Sequence, residues 1–449
     1  MCPLHVQASR ILRHWSEDRR RSKGSSGFDP AGRERRAVEQ YCTEAVTSDQ
    51  EQQQKGEVVS YVEQAFQKLH SCKHPAGVDK WLEDQERKLL KQKLKLKVDT
   101  EKWKRSISDS KVLQVSGALQ IPLMLSLMRQ AGMSPVTVDF VRTVFTEGAD
   151  YVYEVPLTGL YARVSPDKEW GKYEYQEPPV LRKVFDVNHT VLTNHHVRVP
   201  DKFTQEIYKY TKVEVDPLAE GALPFKTVLG PCLTFPTLPE VELHPAFRFW
   251  VEQDVSSGAD EGRTVDDLTA SGANYRTRIR EKLSLPSLDD FVTMVKRVAE
   301  MFPESVWGHQ EFFKHDMRKA FRQVPGSAKS RKWGAFGVKN PDTGLIELFQ
   351  HLSLPFGARS APLIFCAVAR ILCELAAFHM GVPIVAFVDD FFAVVPSKIS
   401  QLMFTKFKWF VVDLLGFHFK EDKKEFAPNK EGKLLGVWVS LTGGGNGEF

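Results

Sequence analysis

Two runs of strand-forming residues, Val382 to Val388 and Phe391 to Val395, are separated only by Asp389 and Asp390. β-Branched and aromatic runs joined with no room for a crossover close as a β-hairpin. The tip of that hairpin then carries two adjacent carboxylates. Like charges so placed repel, and one takes up a proton unless a divalent cation neutralises the pair. Mg²⁺ suits these donors, since it is a hard ion that takes oxygen ligands and keeps positions for substrate phosphates. A solvated Asp-Asp turn is the competing reading of the pair by itself.

A third carboxylate shifts that balance. Asp316 follows Phe312 and Phe313 and opens the stretch Met317 to Pro325, which reads as a strand running into a turn, 73 residues before Asp389. That separation leaves room for a crossover that brings the strand of Asp316 beside the hairpin in one sheet. Three carboxylates in that arrangement could hold two ions about 3.5–4 Å apart, one activating an attacking hydroxyl and one steadying a leaving pyrophosphate. Alignment and charge neutralisation are most of what phosphoryl transfer asks of a protein.

Around these acids the sequence resembles the reverse transcriptases of retrotransposons. Leu354-Pro355-Phe356-Gly357-Ala358-Arg359-Ser360-Ala361-Pro362-Leu363-Ile364-Phe365 is similar to the loop and helix between the two carboxylate motifs of that family, and Phe387-Val388-Asp389-Asp390 to its aromatic-x-Asp-Asp box. Upstream, Gly262-Arg263-Thr264-Val265-Asp266-Asp267 through Asn274 resembles a fingers segment; downstream, Leu415 to Lys424 resembles the lysine-bearing palm segment and Lys433 to Val437 the entry to the primer-grip strand. Five matches in order, over roughly residues 240–440, are more specific than any one of them.

The resemblance implies roles residue by residue. Asp316, Asp389 and Asp390 become the metal-binding carboxylates, holding two Mg²⁺ ions, with Mn²⁺ an acceptable substitute. Phe321 stands where the side chain faces the sugar 2′ position of the incoming nucleotide, and its ring would exclude a ribose hydroxyl sterically. The competing reading makes Phe321 an ordinary core residue. Gly357 would let template or nucleotide approach the backbone. Arg263 would bind the triphosphate, and Lys423 would assist the departing pyrophosphate, with Lys420 and Lys424 as competitors for that role. Phe356 and Ala358 depart from the family pattern, in which a polar or bulkier residue is common near the nucleotide.

The implied architecture is α+β: a right-hand polymerase palm and fingers with an antiparallel sheet and catalytic hairpin. A mixed α/β region and a basic helical N-terminal extension precede it. By composition and breaks, residues 1–55 read as polar and flexible, 56–110 as basic helices, 111–235 as a mixed region of no assigned chemistry, and 236–449 as the fingers and palm. Helices are expected at Leu119 to Met133, Leu288 to Phe302 and Ser360 to Met380, and strand-like pieces at Tyr151 to Val155 and Val180 to Val197. Two helices on one face of the palm sheet would leave its other face open for duplex. The tail Gly443 to Phe449 follows the presumed primer grip directly, so the expectation is a chain without a full thumb, a fragment or domesticated remnant to which a partner chain would supply one.

The formal charge of +4 excludes little, but its distribution is uneven, with Arg19-Arg20-Arg21 and a lysine-dense run from Arg87 to Arg105. Such runs either bind phosphates through counterion release or form solvated helical faces. If they only bind nucleic acid, residues 1–110 should be dispensable for catalysis. The six cysteines, Cys2, Cys42, Cys72, Cys232, Cys366 and Cys373, lack zinc-ligand spacing, and Cys366 and Cys373 read as core side chains of an apolar helix. With no secretory signal and no long uninterrupted apolar run, the expected setting is intracellular, nucleus or cytoplasm, with no membrane partner.

The reading is therefore template-directed DNA synthesis from deoxynucleoside triphosphates on an RNA or DNA template with a primer. The alternative is a non-catalytic, domesticated nucleic-acid-binding remnant of such an enzyme. An RNA-templated RNA polymerase shares the paired acids, but the ring of Phe321 speaks against it.

Overall fold

The structure, a computed structural model, describes residues 48–165, 201–234, 245–252, 262–420 and 426–442. The stretch Val180 to Val197 lies outside these residues, as do Cys2, Cys42 and Lys423. Residues from Ser48 onward form a single compact unit.

At its centre is a three-stranded antiparallel sheet in the order β6-β10-β9, made of β6 (Gln310–Asp316), β10 (Asp390–Pro396) and β9 (Ile384–Phe387). The crossover expected from the sequence is present, and it places β10 between the other two strands. Alternation along the strands divides their rings between two faces. Phe312 and Phe392 meet Phe291 of α8 (Leu288–Met301), whereas Phe313 and Phe391 meet Phe404 and Phe407 of α12 (Ser397–Lys408). Helices thus lie on both faces of the sheet, not on one as expected, because neighbouring rings on each strand point to opposite sides and each set is buried.

Helix α8 is specified locally. Ser287 and Asp290 form a capping box, and Phe291, Met294, Val295 and Val298 recur at helical spacing on the buried side. Helix α11 (Ala361–Met380) has Pro362 in its first turn and ends at Gly381 with a left-handed φ of +59°. Among the described residues it is the one helix long and apolar enough to cross a membrane, yet most of it is buried within the fold. Cys366 and Cys373 are buried on it, and burial pushes both thiols up.

A second, five-stranded sheet runs in the order β2-β8-β7-β3-β4, from β2 (Val228–Thr234), β8 (Ile346–His351), β7 (Ala335–Lys339), β3 (Ala246–Glu252) and β4 (Gly262–Asp266). It is mixed rather than antiparallel, since β3 pairs with β7 in parallel. The sheet crosses residue 235, where the sequence suggested a boundary, and α7 (Asp201–Val215) packs on β2, β3 and β7.

The basic N-terminal helices are docked onto the core of the three-stranded sheet rather than appended to it. Of α1 (Ser48–Ser71), α2 (Pro75–Lys95) and α3 (Lys97–Ser106), the first two bury Phe66, Leu69, Val78 and Leu82 in the same core as β6, β9 and β10. Trp81 packs on Gly381, where an added Cβ would meet its ring at 3.1 Å. Arg297 of α8 donates to Glu63 at 2.8 Å, and Lys93 donates to the Asp413 carbonyl at 2.7 Å. At roughly 1.5–3 kcal/mol for each large apolar side chain buried, these contacts outweigh any solvated charge on the outer faces. The expectation that residues 1–110 are dispensable is therefore corrected. Between Leu96 and Glu154 the chain adds α4 (Ser110–Ser116), α5 (Ile121–Gln130), α6 (Pro135–Thr146) and β1 (Tyr153–Glu154).

Candidate active site

Pairing of Phe387 with Asp390 leaves Val388 and Asp389 as a two-residue turn. Val388 has φ +56°, a conformation that is costly for a β-branched residue and persists only where its surroundings impose it. The surroundings here include Met317, whose backbone N–H donates to the Asp389 carbonyl at 3.0 Å and ties the turn to the end of β6. Asp390 stands directly opposite Asp316 across the antiparallel pair. Side chains of directly opposed residues share a face, with Cβ atoms about 4.5–5.5 Å apart.

The electrostatics follow from that crowding. Burial, then the charges of Asp389 and Asp316, push the Asp390 carboxyl up to about 6, against the pull of Lys314 and Lys420. Lys420 is the lysine brought to the acids: its backbone N–H donates to the Asp316 carbonyl at 2.8 Å and its ammonium pairs with Asp316 Oδ2. Lys314, on the same face of β6 as Asp316, donates to the Lys433 carbonyl at 2.6 Å. Lys423, to which the sequence assigned the pyrophosphate role, lies outside the described residues.

Among the described residues, no three His, Cys, Asp or Glu side chains close on one point as a finished metal cluster. The donors nevertheless fit a hard divalent cation in kind. They are carboxylate oxygens, and the raised Asp390 shows negative charge that Lys420 and Lys314 leave only partly compensated.

Five residues after Asp316 in the chain, Phe321 enters an aromatic wall. Phe321 sits on a 3₁₀ turn (Ala320–Gln323), nearly buried, with its ring 4.9 Å from that of Phe356 and 5.3 Å from that of Phe365. Arg263 is exposed on β4, its guanidinium 5.9 Å from the Phe356 ring. Gly357 has φ +100°, and a Cβ there would stand 2.0 Å from the Asp266 carbonyl oxygen. The close approach that requires this glycine is thus to the protein's own β4. Asn274 completes the seam, donating to the Gly357 carbonyl at 2.9 Å and accepting from the Arg359 N–H at 2.9 Å. The fingers segment and the 354–359 loop, picked out separately in the sequence, form one wall.

Residues 269–439 match the model of the reverse transcriptase family, RNA-dependent DNA polymerase. This segment is a reverse transcriptase domain. A search of curated proteins finds no match to the chain. Among solved structures, a foamy viral protease-reverse transcriptase in complex with double-stranded DNA is similar at 17% identity and a TM-score of 0.34, over 44% of this chain and 30% of that one. The reverse transcriptase domain includes Asp316, Asp389, Asp390, Phe321 and Gly357; Arg263 precedes it.

Sequence reasoning missed a buried ion network behind the aromatic wall of the reverse transcriptase domain. Arg248 of β3 donates from Nε and Nη2 to the two oxygens of Asp266 at 2.8 and 3.0 Å, and from Nη1 to Glu214 at 2.7 Å and Thr211 at 3.0 Å. Arg322 pairs with Glu214 Oε1 at 2.7 Å and donates from Nη1 to His351 Nδ1 at 2.8 Å. Arginine has no acceptor, so His351 Nδ1 accepts and its Nε2 carries the proton that goes to Asp266 Oδ2 at 2.7 Å.

Two arginines, two carboxylates and a neutral imidazole sum to zero charge, which is what permits such burial. Burial raises Glu214, but Arg322 and Arg248 together bring it down to about 2. Burial and then Arg322 depress His351 to about 4 against the attraction of Asp266. Asp266, for all its burial, is held below the ordinary carboxylate range by Arg248 and His351. The only local signal was Asp266 within the Val265-Asp266-Asp267 motif. Glu214, Arg248 and His351 are too far apart in sequence for any spacing rule to join them.

Proposed function

We propose that this chain carries out template-directed DNA synthesis, extending a primer with deoxynucleoside triphosphates in the manner of a retroelement-derived reverse transcriptase. The observation that carries this reading is the register of Asp316 against Asp390 at the tip of the Val388-Asp389 turn, within a segment that matches the family. Asp316, Asp389 and Asp390 would hold divalent cations, Mg²⁺ by their chemistry, and the bound metal supplies charge neutralisation for the attacking hydroxyl and leaving pyrophosphate. Phe321, backed by Phe356 and Phe365, would exclude the ribose 2′-hydroxyl sterically. The exposed Arg263 beside Phe356 would bind the triphosphate. Lys420, seated on Asp316, would take the role that the sequence assigned to Lys423, releasing the carboxylate and offering its ammonium to the departing phosphate. Partners would be an RNA or DNA template with its primer.

A second reading, nucleic-acid binding without catalysis, draws on the same Lys420: an ammonium seated on Asp316 can substitute for a metal permanently rather than yield to it. Primer extension with Mg²⁺ separates the two. Incorporation by the parent and none by an Asp389→Asn variant that melts at the same temperature supports the enzyme; equal activity of the two proteins rejects it.

A further inference from the structure

Three of the five charged or titratable members of the buried network, Glu214, Arg248 and Asp266, precede the matched segment. We propose that Glu214 is a positioning residue of the nucleotide pocket, fixing the Phe321–Phe356 wall through Arg322 and so setting how strictly ribonucleotides are excluded. The proposal rests on the reading of Phe321 as the sugar-facing side chain.

The geometry runs through one guanidinium. Arg322 follows Phe321 directly on the 3₁₀ turn; its Nε is ion-paired with Glu214 Oε1 at 2.7 Å, and its Nη1 donates to His351 Nδ1 at 2.8 Å and to the Leu354 carbonyl at 3.1 Å. Leu354 opens the loop that carries Phe356 two residues later. The backbones of both rings are therefore tied to the same group, one by chain connectivity and the other by the bond to Leu354.

The turn does little to fix itself. It is a single short 3₁₀ element held by the bonds from Arg322 N–H to the Lys319 carbonyl at 2.7 Å and from Val324 N–H to the Phe321 carbonyl at 3.3 Å. The loop of Phe356 is also held by the Leu354 N–H, which donates to the Val324 carbonyl at 3.0 Å, by Asn274 on the Gly357 carbonyl at 2.9 Å, and by the Phe356 carbonyl, which accepts from the Asp266 N–H at 3.3 Å; Asp266 is in turn locked by Arg248 and His351. Removing charge from Glu214 leaves Arg322 and Arg248 underpaired and loosens the one guanidinium to which both ring-bearing segments are tied.

A purely structural network would explain the same hydrogen bonds. The two accounts part at sugar choice. Among the described residues, Thr211 meets the network at Arg248 Nη1, at 3.0 Å, and not at Arg322; Thr211→Val removes that bond and leaves the Glu214–Arg322 pair in place, so it should perturb stability without reaching the rings.

The test uses the full chain as parent, Glu214→Gln, Glu214→Asp, Thr211→Val and Phe321→Ala. Each is assayed for single-nucleotide extension with dATP and ATP, for equilibrium binding of the same nucleotides to a complex with a 3′-blocked primer, and for melting temperature. Small displacements of a positioning group cost on the order of tenfold to a hundredfold, and a loss of dATP-over-ATP discrimination of that size is expected for Glu214→Gln. It should appear in KM and binding more than in kcat. Glu214→Asp, which keeps the charge, should recover most of it, and Thr211→Val should lower the melting temperature with discrimination intact.

If Glu214→Gln does not fold, Glu214→Asp carries the test and must show a measurable loosening. Glu214 variants that melt lower but discriminate like the parent overturn the positioning role, provided Phe321→Ala relaxes discrimination. A Phe321→Ala protein that still rejects ATP, or a parent that neither extends nor binds nucleotide, overturns the reading of the pocket and the proposal with it.

Discussion

The acidic tip of the β9–β10 hairpin and the ion network behind Phe321 both gather carboxylates, but the first is left short of positive charge and the second is neutral. At the tip, Asp390 is pushed up to about 6 by burial and by Asp389 and Asp316. In the network, Glu214 is held down to about 2 although buried, because Arg322 and Arg248 reach it. Uncompensated charge stores repulsion that a ligand can relieve, whereas compensated charge holds geometry. The difference teaches which region should respond to substitution in activity and which in stability.

The largest expected effect is at the tip. Asp389→Asn should lower primer extension by roughly a thousandfold or more, since a neutral amide removes several kcal/mol of ion-binding charge and each 1.36 kcal/mol is a factor of ten. Its melting temperature should hold or rise as repulsion with Asp390 falls. A protein that melts much lower would erase the contrast with the network.

Next in size is the network itself. Asp266→Asn leaves Arg248 and His351 facing a neutral amide inside the fold, and removing one partner of a buried pair costs about 3–5 kcal/mol. Chemical denaturation should show that loss, and a change near zero would mean that the network is wet or dispensable. Phe321→Ala belongs between the two regions: it should admit ribonucleotides and also lose stability, on the order of 3 kcal/mol, because its ring fills space between Phe356 and Phe365.

A smaller effect comes with pH. His351 is depressed to about 4 in the fold from an ordinary 6.5, so the unfolded chain binds a proton first as pH falls. Stability should decline between about pH 6.5 and 4, and then further as Glu214, depressed from 4.5 to about 2, takes up its proton. Both shifts act in the same direction. Melting temperatures of His351→Gln across this range should show a flatter profile; an identical slope would remove His351 as the cause.

The smallest effect concerns the outer face of α2 and α3. Replacing the exposed Lys91, Lys95 and Lys97 with Ala should leave the fold intact and make the salt dependence of duplex binding shallower, by about 0.9 in log–log slope for each phosphate no longer neutralised. An unchanged slope assigns these lysines to solvent alone. Deleting residues 1–110 is the wrong experiment for this purpose, because removing Phe66, Leu69, Val78 and Leu82 would leave the palm core exposed.

Local pattern determined a good deal. The hairpin, the acid at the end of β6, α8 and the long apolar α11 were legible because strand propensity and helical spacing act over a few residues. The family resemblance grouped Asp316, Asp389 and Asp390 by motif alone, and in the fold Asp316 stands opposite Asp390. Tertiary structure alone decided the rest. It set helices on both faces of the palm sheet, made the second sheet mixed, docked the N-terminal helices into the core, and turned Gly357 toward Asp266. It also joined Glu214, Arg248, Asp266, Arg322 and His351, whose pairing depends on desolvation and on distances between elements remote in the chain. Charge in a sequence is only a sum; which charges lose their water, and which partner each then must find, is fixed when the elements pack.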